Sequence, residues 1–185
     1  MPAAIPRVAF SHVGIHVHDL AAMERFYTGL LGLIVTDRGP LETPLGVLDF
    51  VFLSRDPREH HQLVLASGRP AETPFNVLNQ ISFRLDSLAD LRTLHARLKD
   101  FPTRDVFPIN HGNALSVYFR DPEGNRVELF IDTPWYVAQP LRIPFDFADS
   151  DATLMRWAEE TARKLPGFRP IDDWRREMAV RMGAG

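Results

Sequence analysis

The chain has 185 residues, a formal net charge of −3 and no cysteine, enough for one domain with a real core or two small fused modules. The missing cysteines exclude disulfides, zinc–thiolate sites, iron–sulfur clusters and a cysteine nucleophile, so a metal would be held by His, Glu, Asp or Gln. No basic run suggests nucleic acid, no stretch is long enough to span a membrane, and Met1–Arg7 lacks the apolar run of a signal peptide, so the expected setting is cytoplasmic, without nucleic-acid or membrane partners.

The first element is a strand around Ser11–His18. Val13, Ile15 and Val17 alternate with His12, Gly14, His16 and His18, so one face is apolar and suits a helix while the other is polar. Asp19 reads as a helix cap. Leu20, Met23, Phe26, Tyr27, Leu30 and Leu31 then recur at helical spacing up to a Gly32 stop. Three strand-like runs follow, roughly Leu33–Thr36, Val47–Leu53 and Gln62–Ala66. The plan then repeats. Strand Gln80–Leu85 leads to an Asp86/Ser87 cap, a helix carrying Leu88, Leu91, Leu94 and Leu98, and runs near Asp105–Ile109, Ala114–Phe119 and Arg126–Ile131.

A shift of 68 residues lays Val13 on Ile81, Ile15 on Phe83, Val17 on Leu85, Leu20 on Leu88 and His12 on Gln80. Each half is therefore a βαβββ module, about 8–67 and 76–132, with one sheet face covered by a helix and the other free. The expected fold is α+β: two βαβββ modules over 1–132 forming a cup-shaped mixed sheet, with a C-terminal arm and helical extension over 133–185. Residues 132–148 are rich in proline and aromatics and read as an extended arm; helices are expected near Asp151–Lys164 and Ile171–Met182. Covering the cup, closing a homodimer and packing as a tail all remain open for this extension.

Asp121-Pro122-Glu123-Gly124-Asn125 is tight-turn chemistry between two apolar runs and makes a hairpin; Pro122 presets φ, and Gly124 and Asn125 tolerate positive φ. Just beyond it, Glu128 sits between Val127 and Leu129. A carboxylate among apolar strand residues is either at an edge or held for a reason. His12 occupies a similar apolar strand far upstream, and a His and a Glu brought together from distant strands suggest a metal site. His16 shares the face of His12 but lies about 13 Å along the strand, too far to share an ion, so it lines a cavity floor or is a satisfied core histidine. His60 and His61 are adjacent and would point to opposite faces of a strand, with Gln62 on the side of His60. His95 falls on the second helix and is expected to be solvated. Arg7 and the Asp172-Asp173-Trp174-Arg175-Arg176 cluster read as surface charge.

With Ser-His-Val-Gly-Ile at 11–15, Asp-Pro-Glu-Gly-Asn-Arg-Val-Glu-Leu-Phe at 121–130 and the paired modules, residues 8–132 resemble the vicinal oxygen chelate superfamily. This superfamily contains glyoxalase I, bleomycin-resistance proteins and type I extradiol dioxygenases. Within it the chain is most similar to single-domain dioxygenases related to the biphenyl-2,3-diol enzymes. His111-Gly112, Tyr118-Phe119, Asp121-Pro122, Gly124-Asn125, Glu128 and the Trp135-Tyr136 tail carry that likeness.

The resemblance implies an extradiol dioxygenase that cleaves a small catecholic substrate with O2, using a divalent metal, Fe(II) or else Mn(II), and acting as a homodimer. It implies His12 and Glu128 as metal ligands and His111 and Tyr118 as catalytic residues. His60-His61 resembles the part of the family that carries a histidine just outside the ligand set, and His61 is taken as the replacement third metal ligand. Tyr118 would orient the substrate, and His61 or His111 would move protons. Phe50, Phe52, Phe119 and Phe130 would supply aromatic walls. Where the family places a second histidine ligand, this chain has Gln80, a fourth ligand or a vacant ligand position. A glyoxalase-type isomerase or lyase using His12, His61 or Gln62, Gln80 and Glu128, and a non-catalytic resistance-type binding protein, are the alternatives.

Overall fold

The computed structural model describes residues 6, 8–72 and 76–183; Arg7 lies outside them. The chain divides into two compact units, 1–76 and 77–185. The first contains β1 (Val13–His16), α1 (Leu20–Leu31), β2 (Ile34–Thr43), β3 (Gly46–Ser54) and β4 (Leu63–Ala66). Its sheet runs β1-β4-β3-β2, with β1 parallel to β4. Asp19 begins α1 as expected, its Oδ1 accepting from the Ala22 N–H at 2.9 Å. Strand parity also holds: Ile15 and Val17 are buried with Met23, Phe26, Tyr27 and Leu30 of α1, while His12, Gly14 and His16 are exposed. Burying one such Leu or Phe side chain contributes about 1.5–3 kcal/mol.

β2 is much longer than the run read from sequence, pairing with β3 from Ile34↔Ser54 to Thr43↔Gly46 across a bulge at Val35/Asp37. Its stretch Asp37-Arg38-Gly39-Pro40 has no apolar alternation and reads as a turn. The structure tolerates Pro40 there because β2 is an edge strand, where a missing N–H need not break a ladder.

The second unit repeats the plan with β5 (Ile81–Arg84), α2 (Leu88–Arg97), β6 (Arg104–Asn110), β7 (Ala114–Arg120) and β8 (Arg126–Asp132). β9 (Trp135–Tyr136), β10 (Ile143–Pro144), α3 (Asp151–Ala162), β11 (Arg169–Pro170) and α4 (Ile171–Arg181) follow. The sheet runs β10-β6-β7-β8-β5, with β5 parallel to β8 as β1 is to β4, and β9 pairs with β11 separately. The mixed α+β architecture and the βαβββ order of both units agree with the sequence reading. So do α3 and α4, to within about two residues of their expected ends.

The arm packs on its own unit. β10 extends the sheet on β6, and Tyr136 stacks on Trp174 at 5.4 Å. Arg92 on α2 donates to the carbonyls of Phe147 and Asp149, both at 2.6 Å, and to Asp151 Oδ1 at 2.8 Å. His95 is not solvated as expected: its ring lies 4.6 Å from that of Phe147. Burial first, and then the Arg92 charge, lower its pKa. The α4 charges do stay at the surface, in pairs within the helix, Arg175–Asp172 at 3.1 Å and Arg176–Asp173. No helix among the described residues is long and apolar enough to cross a membrane.

The predicted hairpin joins β7 to β8. Asp121, fully buried, accepts from the Glu123 N–H at 3.0 Å, the Asn125 N–H at 2.8 Å and the Asn125 side-chain amide at 2.8 Å. Gly124 takes the positive φ of 87°, whereas Asn125 does not and serves as a donor instead. Asp121→Ala removes the acceptor shared by these donors in a partly buried turn and is expected to cost about 1–3 kcal/mol, read as a lower urea midpoint at unchanged m-value. A midpoint equal to wild type would mean that the turn holds without its carboxylate.

Candidate functional site

In the first unit the parallel register Val13↔Leu63 sets the residues before β1 beside those before β4. The His12 and His61 rings are 4.2 Å apart between centroids. The Ser11 hydroxyl donates to Glu59 Oε2 at 3.3 Å, so at its 3.2 Å contact with His12 Nδ1 it acts as acceptor. In the neutral His12 ring this leaves the lone pair on Nε2, one of the two ring nitrogens through which imidazole can ligate a metal.

His60 and His61 do not point apart, contrary to the sequence reading. They precede β4 and lie in a loop, where strand alternation has no force. Their Nδ1 atoms are hydrogen-bonded to each other at 2.8 Å, and both rings rest against Phe52, at 5.7 and 5.2 Å. Desolvation first, then the nearby His12 and His60, lower the pKa of His61. Gln62, an alternative ligand in the glyoxalase-type set, is engaged elsewhere: its Oε1 accepts from the Arg55 N–H at 2.9 Å. His16 is exposed rather than a core residue. Its Nδ1 bonds the Ser67 carbonyl at 2.9 Å, and it lines a cavity of about 480 Å³ with Ile15, Leu48, Phe50, Val64 and Ala66. A concave, mostly apolar surface with few polar groups, His16 and Thr43, suits an aromatic or aliphatic ligand.

In the second unit Glu128 is 7% exposed. It sits on β8 between Ser82 of β5 and Tyr118 of β7, its register partners on either side. Its Oε2 accepts from Gln80 Nε2 at 2.7 Å and from the Ser82 hydroxyl at 2.6 Å; Gln80 Nε2 also donates to Ser82 Oγ at 3.0 Å. Its Oε1 lies 4.0 Å from His111 Nε2.

His111 Nδ1 faces the Leu141 carbonyl at 2.6 Å. A carbonyl only accepts, so Nδ1 carries the proton and Nε2 of the neutral ring accepts from the Tyr118 hydroxyl at 3.0 Å. Burial first, then the neighbouring Glu128 carboxylate, raise the Tyr118 pKa above the ordinary phenol range, so Tyr118 remains a proton donor. Of the expected aromatic walls, Phe50 and Phe52 share the His12 face and stack at 6.2 Å. Phe119 is buried in the core instead, because it alternates with Tyr118 on β7.

Sequence reasoning missed the arm's part. The Leu141 carbonyl orients His111, Gln139 Nε2 donates to the His111 carbonyl at 2.6 Å, and Trp135 Nε1 donates to the Gly112 carbonyl at 2.6 Å. Its proline and aromatic content signalled an extended segment, not these contacts. Ser82 was also missed, although parity with Gln80 marks it on the polar face of its strand.

No three His, Asp or Glu side chains among the described residues converge as a ready metal cluster. The donor chemistry nevertheless fits a borderline divalent ion. The first unit offers two adjacent imidazoles, one with its tautomer set for Nε2. The second offers a carboxylate whose two donors both fall on one oxygen.

Two βαβββ units in tandem define a class of repeated-module α+β domain. The profile of the Glyoxalase/Bleomycin resistance protein/Dioxygenase superfamily matches residues 9–129, and the chain belongs to that superfamily. It is 35% identical over 172 residues to biphenyl-2,3-diol 1,2-dioxygenase 3 of Rhodococcus globerulus, covering 90% of this chain and 79% of that protein. It is 29% identical over 185 residues to biphenyl-2,3-diol 1,2-dioxygenase 2 of the same organism, covering 85% and 93%. The crystal structure of a glyoxylase/bleomycin resistance protein/dioxygenase domain from Frankia sp. EAN1pec superposes with a TM-score of 0.52 at 24% identity, over 69% of this chain and all of that one. Family and relatives together support an enzyme.

Proposed function

We propose that this protein is a metal-dependent extradiol dioxygenase that opens a catecholic ring with O2. The residues proposed to hold a divalent cation, Fe(II) or else Mn(II), are His12, His61 and Glu128. The observation that supports this most is the hydrogen-bonded series Leu141 carbonyl–His111–Tyr118 beside Glu128. It sets an imidazole lone pair and a phenolic donor next to a buried carboxylate. The cation, when bound, supplies Lewis acidity that favours the catecholate and holds both reactants together.

The chain's own groups do the rest. The Tyr118 hydroxyl turns from His111 to a substrate oxygen and orients the ring. His111 Nε2, relieved of that donor, holds or returns a proton at the reacting oxygens, and its Nδ1–H stays anchored on Leu141.

Anaerobically purified protein loaded with Fe(II) is expected to take up O2 and give coloured ring-opened products from a panel of catechols. Tight catechol binding without O2 uptake would instead make it a binding protein. The His61→Ala variant assigns that residue. As a ligand, its loss removes most bound metal; if metal content stays at the wild-type level while turnover falls, His61 moves protons and does not ligate.

A further inference from the structure

Gln80 stands where the internal repeat mates with His12, the natural place for a second ligand. The geometry points to a different role. We propose that Gln80 and Ser82 are positioning residues that clamp Oε2 of Glu128 and leave Oε1 as the one oxygen this carboxylate offers to a cation; Gln80 itself does not ligate. The proposal deepens the metal-dependent reading above and rests on it.

A carboxylate oxygen only accepts. The Gln80 atom 2.7 Å from Oε2 must therefore be the amide nitrogen, since the amide oxygen would set two acceptors in contact. The Ser82 hydroxyl has one proton, given to Oε2 at 2.6 Å, and its lone pair takes the second Gln80 N–H at 3.0 Å. The two donors thus converge on the same carboxylate oxygen, Oε2. The backbone imposes it: Ser82 pairs with Glu128 across the parallel β5–β8 ladder. Gln80, two residues before Ser82, shares its face by strand alternation. For the Gln80 oxygen to ligate, the amide must rotate and strip a donor from Oε2 in a site where Glu128 is 7% exposed. Such outer partners hold a ligand in one rotamer, and their loss typically lowers metal affinity 10–100-fold (an order-of-magnitude guide).

Mn(II) titration of the full-length protein, followed by electron paramagnetic resonance, separates clamp from ligand because the two predict opposite signs. Gln80→Glu keeps an oxygen donor but has no N–H for Oε2. The clamp predicts Mn(II) affinity reduced about 10–100-fold, whereas a ligand at position 80 predicts equal or tighter binding, which would overturn the proposal. Ser82→Ala is expected to weaken Mn(II) binding similarly and Ser82→Thr, which keeps the hydroxyl, to restore it; wild-type affinity in Ser82→Ala also counts against the clamp. The metal-free protein gives an independent reading, a hydrogen-bond scalar coupling between the Gln80 side-chain nitrogen and the Glu128 carboxylate carbon. Its absence overturns the clamp. Wild-type protein that shows the coupling yet binds no Mn(II) keeps the hydrogen-bond clamp and removes the metal reading instead.

Discussion

Glu128→Ala is expected to cut the affinity for Mn(II) or Fe(II) by more than about 100-fold, beyond what loss of an outer partner does. It is also expected to destabilise the metal-free protein. Glu128 is buried, and its removal takes from the Gln80 amide and the Ser82 hydroxyl the acceptor they share, at a cost of about 1 kcal/mol. His12→Ala makes the informative contrast. His12 is exposed, with a long contact to Ser11 and its ring beside that of His61, so its loss is expected to leave stability within about 0.5 kcal/mol of wild type while removing metal to a similar extent. Urea denaturation of both metal-free variants and metal analysis of both loaded ones test the pair. Unchanged metal stoichiometry in either variant removes that residue from the ligand set.

Gly112→Ala is expected to be the most damaging single methyl group in the second unit. Gly112 has φ 76°, and a Cβ there would fall 2.1 Å from Val137 Cγ2 and 3.1 Å from Leu141 Cδ2. Val137 is fully buried and has no room to yield. The left-handed backbone costs a non-glycine residue about 1–2 kcal/mol and overpacking about 1–3 kcal/mol more, together roughly 2–5 kcal/mol. The loss also reaches the site, because the same displacement pulls the arm from His111, whose ring is oriented by the Leu141 carbonyl. A lower melting temperature with a reduced turnover number is the expected pair of results. Wild-type turnover in a destabilised Gly112→Ala would show that the arm does not orient His111.

Local chemistry was the legible part of this protein. Asp19 and the spacing of Met23, Phe26, Tyr27 and Leu30 specify α1 within a dozen residues, and Asp121–Asn125 specifies its own turn through contacts within five. The match between 13–16 and 81–84 discloses the repeat without any knowledge of how the strands pair. His12 and Glu128 stood out for the same reason, as polar groups in short apolar strands whose periodicity is local.

What the sequence hid depends on pairing across long separations. Strand alternation sent His60 and His61 to opposite faces, but they lie just before β4, where the loop turns both rings onto Phe52. β2 runs through Gly39-Pro40 because an edge strand can spare an N–H, and edge position is a property of the sheet rather than of the segment. Gln80 reads from sequence as a fourth ligand or a vacant ligand position; the β5–β8 register puts its amide on a carboxylate 48 residues away. By itself, then, the sequence determined the repeated βαβββ plan, the hairpin turn and the residue types able to bind a metal, since periodicity and capping act between near neighbours. Only the tertiary structure decided which nitrogen of His111 bears the proton, which oxygen of Glu128 is clamped and what the arm holds, because a hydrogen-bond partner is chosen by register and side-chain direction, and those are set when the strands pair.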